Sequence, residues 1–421
     1  MGGNGLRTII IFFLLQNCLT TFLSFQYTDV NRSDQTSMKK LFQSDWVSRL
    51  TDALLPVFAT LAALILGAVM LLFLKVNPLE AYGALWDGAF GSSNAFAETL
   101  VKATPLLLVA LGICISFRGD VINIGGEGQM IVGAILATWV GLTFTGLPGW
   151  LVITLAMLAG FSGGAVWGGI PGFLKAYFRV NEILSTVMMN AIAVQLMNFL
   201  LRGPMIDPSQ AELASKIPQT ARLLEVFRLP RLVPTRLHLG ALIAVVLAIL
   251  VYILLWRTTV GYRIRAVGQN PHASRYAGIK VQRHVVLALL FSGAFAGLAG
   301  AVQVYGVNFR MITDGSASGF TGSAGFNGIV AALFGQLHPI WAIPASILFG
   351  ALLVGANSMQ RVVQVPSAFV TALNGLVVVF VVSSELWRRR RQRRRLAAVG
   401  QDEESPPPSH QEKLPQAESV T

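Results

Sequence analysis

The chain has 421 residues, 54% of them hydrophobic and only 12% charged, with a mean hydropathy of +0.62. Soluble domains carry about 25% charged residues, so the composition excludes an ordinary water-soluble fold. Its many apolar windows of about 20 residues suit a hydrocarbon core about 30 Å thick, and its 41 glycines suit closely packed membrane helices. The reading is all-α, a polytopic bundle of membrane helices.

The net charge of +12 does not point to nucleic acid. Seven arginines, Arg388–Arg391 and Arg393–Arg395, lie directly behind the last apolar stretch. The positive-inside rule makes such a cluster a topology anchor, and membrane lipid with anionic headgroups suits it. No aromatic platform or recognition module accompanies it. Cys18 and Cys114 sit in apolar runs and the five histidines are scattered, which leaves neither a disulfide framework nor a metal-ligand spacing. A G-x-x-x-x-G-K-[ST] phosphate loop is absent, so ATP is not bound here by that route.

In chain order, residues 1–44 read as an N-terminal extension. Residues 8–25 form an apolar run behind Arg7 resembling a signal sequence or an additional span, yet Met38-Lys39-Lys40 offers a second start. Residues 45–388 form the transmembrane domain, with about ten spans predicted near 53–74, 98–117, 122–141, 149–168, 183–201, 239–256, 285–305, 322–337, 339–356 and 367–386. Loop 257–283 carries Arg257, Arg263, Arg265, Arg275, Lys280 and Arg283 with no acid, and loop 169–182 adds Lys175 and Arg179. Both fall on the same side as the arginine tail, which places that side in the cytoplasm. Loop 202–238, on the other side, sets six basic residues against Asp207, Glu212 and Glu225, so it weakens the contrast without reversing it. Residues 389–421 are basic, then rich in Pro, Ser, Glu and Gln, as in a disordered cytoplasmic tail.

Three polar islands interrupt this pattern. Arg118–Gln129, "RGDVINIGGEGQ", holds Asn123, Gly125, Glu127 and Gln129. An acid at such a position should face protein or a water-filled path rather than lipid, and Gly125-Gly126 permits an irregular backbone there. The second island opens the fifth span, where Glu182, Thr186, Asn190 and Asn198 fall within a face about 160° wide. Such a stripe should turn to the bundle interior, for interhelical hydrogen bonds or for solute, and Asn181 and Glu182 also suit a helix cap. The third is the basic loop, in which Gly261, Gly268, Asn270 and Pro271 precede an amphipathic stretch near Ala273–Ile279 that could dock on another protein.

"INIGGEGQMIVGA", "LKAYFRVNEILSTVMMNAIA", "GYRIRAVGQNPHASRYAGIKV" and "GFNGIVAALFGQLHPIWAIPASILFGALLVGANSMQ" together resemble, in order and spacing, bacterial ABC importer permeases of the simple-sugar and nucleoside group, within the branched-chain amino acid and ribose type. The resemblance covers residues 45–388, and "VNEILSTVMMN" is closer to the nucleoside branch than to the ribose branch. Gly126 departs from the alanine of many members. The resemblance implies an ABC importer permease fold without catalytic residues, cofactor or metal of its own, ATP and Mg being held by a partner ATPase subunit. It further implies a second permease, identical or homologous, an extracytoplasmic substrate-binding protein, and an inner-membrane location with the C-terminus in the cytoplasm. By the same resemblance Asn123–Gln129 lies near the translocation path; the Glu182, Thr186, Asn190 and Asn198 stripe is a candidate for the same path on its periodicity alone. The segment Gly261–Val281 corresponds to the loop that contacts the ATPase, with Gly261, Arg263, Gly268, Asn270, Ala277 and Gly278 as its candidate residues. A simple-sugar permease is the alternative. A secondary transporter would place coupling-ion carboxylates at midplane in inverted repeats, and an intramembrane enzyme would need a convergent nucleophile or metal set. The sequence offers neither pattern.

Overall fold

The computed structural model describes residues 45–211 and 217–366, with scattered positions from 369 to 384. The N-terminal extension 1–44, the tail 389–421 and much of the predicted span 367–386 lie outside the described residues. The chain divides after Leu55 into two units. The first is described only as the helical residues 45–55, and the second holds all the other described residues. Among the described residues the secondary structure is helical, apart from two isolated bridges, Gln219 with Ile312 and Arg231 with His238.

The helices are α1 (Asp45–Phe73), α2 (Pro78–Phe90), α3 (Ser93–Arg118), α4 (Gly126–Thr143), α5 (Gly149–Phe178), α6 (Glu182–Arg202) and α7 (Gly240–Arg257). They continue with α8 (Thr259–Gln269), α9 (Pro271–Tyr276), α10 (Val281–Gln303, extended by a π-turn over Val304–Asn308), α11 (Ala317–Thr321), α12 (Ala324–Phe334) and α13 (Ala342–Val363). Many starts follow from local chemistry. Side-chain oxygens of Asn77, Ser92, Asn181, Thr258 and Asn270 accept the first free amides of α2, α3, α6, α8 and α9. Among the described residues, six helices are long and apolar enough to cross a membrane: α3, α5, α6, α7, α10 with its π-turn, and α13. The end of α1 and the whole of α12 are shorter apolar helices. The helix α4 begins with the polar turn Gly-Glu-Gly-Gln, and most of it is buried.

Glycine contact organises the centre. Gly160, Gly164 and Gly168 of α5 recur every four residues and lie against Gly293 and Gly297 of α10, while Gly133 of α4 meets Gly297 and Gly300 meets the Met130 carbonyl. Bare backbone on both sides lets three helices approach more closely than any side chain would allow.

The connections sort into two ends. At one, Gly268 packs on the Arg118–Asp120 backbone, and Lys175 Nζ pairs with Glu182 and donates to the Asp120 carbonyl. This basic end therefore gathers the loops after α3, α5 and α7. At the other, Arg236 pairs with Glu98 (3.4 Å), Thr313 Oγ1 donates to Asn198 Oδ1 (2.7 Å) and Thr220 N donates to Met311 O (2.9 Å). The predicted alternation of spans requires this grouping.

Four expectations need revision. Residues 78–90, outside the predicted spans, form α2, started by Asn77 and Pro78 and packed through Leu85 and Gly88 on Gly355 and Ser358 of α13. The helix α5 runs to Phe178 and consumes most of loop 169–182. The amphipathic element after α7 is α8, with Gly261, Ile264 and Val267 on its buried face, whereas residues 277–279 form a turn through Gly278 at φ +78°. Finally, the segment 322–337 does not cross as one helix. At 11 residues, α12 spans about 16 Å, roughly half the hydrocarbon thickness.

Candidate functional site

The half-helix explains the first polar island. Gly126 and Gly328 both pack on Val109, nine residues before Arg118 at the basic end of α3, or about 13 Å along that helix. After α3 the chain therefore folds back to that depth before α4 begins, and the first turn of α12 lies beside it. Residues 119–125 are irregular backbone, with Asp120 and Ile122 exposed and Val121, Asn123 and Gly125 buried, so the buried amides and carbonyls need internal partners.

The predicted residues supply them. Asn123, buried to 1% exposure, donates from Nδ2 to Gln129 Oε1 (3.0 Å) and Ser292 Oγ (2.8 Å), while its Oδ1 accepts from Gly125 N (2.9 Å) and Gln129 Nε2 (3.1 Å). Asn190 Nδ2 donates to Ile124 O (2.9 Å) and its Oδ1 accepts from Gly128 N (2.8 Å). Thr186 Oγ1 accepts from Ile124 N (3.4 Å). The polar stripe of α6 thus clamps the irregular turn: Thr186 and Asn190 are buried in it. Glu182 sits one turn nearer the basic end, paired with Lys175, and Asn198 lies half-buried toward the opposite end, bonded to Thr313.

Glu127 meets the broken helix. Its Oε1 accepts from Phe326 N (3.2 Å), and Gly325 packs directly against its backbone and carboxyl carbon. Free amides at a helix N-terminus and the positive end of the helix dipole are natural partners for a carboxylate oxygen. They serve Oε1 of this nearly inaccessible acid, while its buried Oε2 has no hydrogen-bond partner among the described residues.

Two cavities open toward the opposite end. One, of about 520 Å³, is lined by Gln195, Asn198, Phe199, Arg202 and Gly203 along the outer half of α6. Leu184, Met188, Ile192, Gln195, Phe199 and Arg202 make one exposed helical face, and amides on an exposed membrane face belong at an aqueous path or a protein contact rather than in lipid. The second, of about 760 Å³, is lined by Glu98, Lys102, Arg236, Asn357, Gln360 and Arg361 among others. Of the residues predicted for the path, only Asn198 lines either cavity. Gln195 and Phe199 escape the sequence reading because single amides and aromatics in an apolar run carry no signal until one face is seen to be uncovered.

At the basic end, Gly261 packs on the backbone of Leu254 and Leu255, and Gly268 on Arg118–Asp120, so both face inward. Asn270 Oδ1 accepts from Ala273 N (3.0 Å) and starts α9. Arg263, Ala277 and Gly278 are exposed, and so is Tyr276, at 94%, which the sequence reading did not single out. His338, in the turn before α13, is held below the ordinary histidine value by burial and then by the nearby Arg118 charge. Among the described residues no group of three or more His, Cys, Asp or Glu is arranged to hold a metal.

The protein family described as the permease component of branched-chain amino acid transport systems matches residues 95–382. The chain belongs to that family. Among curated relatives, the guanosine ABC transporter permease NupP of Bacillus subtilis is 37% identical over 338 residues, covering 80% of this chain and 95% of that protein. The glucose ABC transporter permease TsgB13 of Haloferax volcanii is 34% identical over 79% of this chain and 88% of its own length. The nucleoside ABC transporter permease NupB of Lactococcus lactis is 30% identical over 78% of this chain and 90% of its own length. No solved structure matches it. The permease is a multi-pass membrane protein and a transport component. Its family match runs from the start of α3 beyond α13, enclosing the irregular turn, the half-helix, the α6 cavity and the α8–α9 pair.

Proposed function

We propose that this permease forms the path of an ATP-binding cassette importer for nucleosides. The observation that carries the reading is the likeness to the guanosine permease over 80% of this chain. The exposed amide and aromatic groups on the outer half of α6 suit a solute with a hydrogen-bonding edge and a flat ring. In this reading ATP and Mg are held by separate ATPase subunits, which press on α8 and α9 at the basic end. A second permease completes the path, as the paired relatives NupP with NupQ and NupB with NupC suggest. An extracytoplasmic binding protein delivers solute to the end bearing loop 202–238. The protein sits in the bacterial inner membrane with its basic end and C-terminus in the cytoplasm, and Asn123, Gly125, Glu127 and Gln129 brace the path wall near midplane.

A simple sugar is the second reading, favoured by the glucose permease relative. Proteoliposomes holding the complete transporter decide between them. Labelled nucleoside should accumulate on ATP addition and be displaced by unlabelled nucleoside far better than by ribose or glucose. The reverse order of competition would assign the chain to the sugar branch.

A further inference from the structure

The basic end holds a cluster that none of the predicted site residues explains. The Trp256 indole, near the end of α7, has two guanidiniums close to it: Arg118 Cζ is 5.4 Å from its centroid and Arg265 Cζ, on α8, is 5.6 Å away. Tyr252 stacks on the same indole (5.2 Å), and His338 closes the group at 4.9 Å from Trp256. Cation–π contacts of this kind are stronger where water is excluded, and Arg265 Nε is buried without a hydrogen-bond partner.

The cluster joins two elements far apart in sequence. On one side α8 is fixed to the bundle through Gly268, which rests on the Arg118–Asp120 backbone. On the other, Arg118 donates from Nε to Leu337 O (3.3 Å) and from Nη2 to Gln336 O (3.5 Å). These two carbonyls follow the C-terminal end of α12, where a cation is favoured. They also belong to consecutive non-glycine residues in the left-handed region, at φ +56° and +54°, a conformation costing on the order of 1 kcal/mol or more at each. The turn after α12 is therefore strained; its own backbone bonds, Gln336 N to Leu333 O and Leu337 N to Ala332 O, close it on α12, and the Arg118 guanidinium ties its carbonyls to α3. The opposite end of α12 presents Phe326 N to Glu127 in the buried network.

We propose that Arg118, Trp256 and Arg265 are positioning residues that carry movement of α8 to the Asn123–Glu127 network, with α12 as a rigid strut between the strained 336–337 turn and Glu127. The proposal rests on the importer reading, in which α8 receives the ATPase stroke. It adds the route by which that stroke reaches the middle of the membrane. A contiguous chain of contacts alone does not establish coupling; the element whose arrangement changes in this route is the strained 336–337 turn, which Arg118 ties to α3.

The test uses the complete transporter in proteoliposomes with Arg118→Met, Trp256→Leu, Trp256→Phe, Arg265→Met and the double variant Arg118→Met with Trp256→Leu. Uptake per ATP hydrolysed should fall about tenfold in Arg118→Met and Trp256→Leu, with assembly and hydrolysis within twofold of wild type. Trp256→Phe, which keeps an aromatic face, should retain most of the uptake. The double variant should be no worse than either single change, because both break one link. Independently of any solute, amide exchange at residues 325–328 of the purified permease should quicken in Arg118→Met while α5 is unchanged. Unchanged uptake per ATP, a double variant multiplying the two single losses, or unchanged exchange at 325–328 would each overturn the proposal. Should Trp256→Leu fail to fold, Arg265→Met decides, and normal uptake per ATP there overturns it. A wild-type complex that carries no nucleoside sinks the substrate reading alone, since the exchange measurement needs no solute.

Discussion

Replacing Gly164 by alanine tests the central seam with one methyl group. A Cβ built at Gly164 would lie 2.2 Å from Gly293 O, 2.6 Å from Gly297 Cα and 2.7 Å from Gly297 N. Attractive contacts between heavy atoms lie near 3.5–4.0 Å, so α5 and α10 would have to part by about 1 Å. All three neighbours are backbone, which cannot rotate aside as a side-chain tip would. Overpacking of this kind costs about 3 kcal/mol at its usual upper end, offset by about 1 kcal/mol from the better helix propensity of alanine, for a net loss near 2 kcal/mol. Gly169, five residues on, supplies the control: a Cβ there has nothing within 4 Å, so Gly169→Ala should be neutral or about 0.5–1 kcal/mol more stable. Equilibrium unfolding of the purified permease in detergent, read by circular dichroism, measures both. Equal stability of the two variants, or a Gly164→Ala protein as stable as wild type, would refute close backbone packing at the seam.

Three further outcomes rest on single residues. Asn190→Ala strands Ile124 O and Gly128 N inside the bundle, and at about 1–3 kcal/mol for each orphaned group the same assay should register a loss of roughly 3 kcal/mol; a change below about 0.5 kcal/mol would mean that the irregular turn finds other partners. His238 is pushed down to about 4 by burial, and its Nδ1 accepts from Gly240 N (3.2 Å), so the folded state needs it neutral. The unfolded chain takes up the proton first as pH falls below about 6.5, so stability is full above that value and is lost toward pH 4, by up to about 3 kcal/mol; His238→Gln should flatten this dependence, and an identical pH profile for variant and wild type would contradict it. Tyr276→Ala removes the exposed ring of α9, and co-purification of the ATPase should weaken about tenfold, near 1.4 kcal/mol, with the permease's own melting unchanged; undiminished co-purification would exclude α9 from the docking surface. This residue is a cleaner probe than Gly278, whose φ of +78° penalises any side chain before a partner is met.

The helical class, the polytopic architecture and most span positions were legible in the residues because hydrocarbon demands long apolar runs and tolerates few charges. The three polar islands were legible for the same reason: Glu127, Asn190 and the basic stretch from Arg257 to Arg283 stand out against an apolar background. Hydropathy counts residues without knowing depth, so it rendered α12 as a span, although it begins beside Val109 and ends at the basic end. Local chemistry was present for α2, in Asn77 and Pro78, but an amphipathic helix between two spans gives no long apolar run. The roles of Thr186 and Asn190 were equally hidden. A periodic stripe shows that polar groups share a face, not whether that face meets solute or another stretch of backbone.

By itself the sequence determined that the chain crosses the membrane many times, which residues could not face lipid and which loops carry the positive charge, because each is a property of residue type and local spacing. Only the tertiary structure decided that α5 and α10 meet through bare glycine backbone, that Asn123, Thr186 and Asn190 are consumed in holding an irregular turn, and that Arg118 reaches from α3 to the 336–337 turn. These depend on which distant segments become neighbours, and burial and hydrogen-bond satisfaction are settled by all the packed helices together rather than by any one of them.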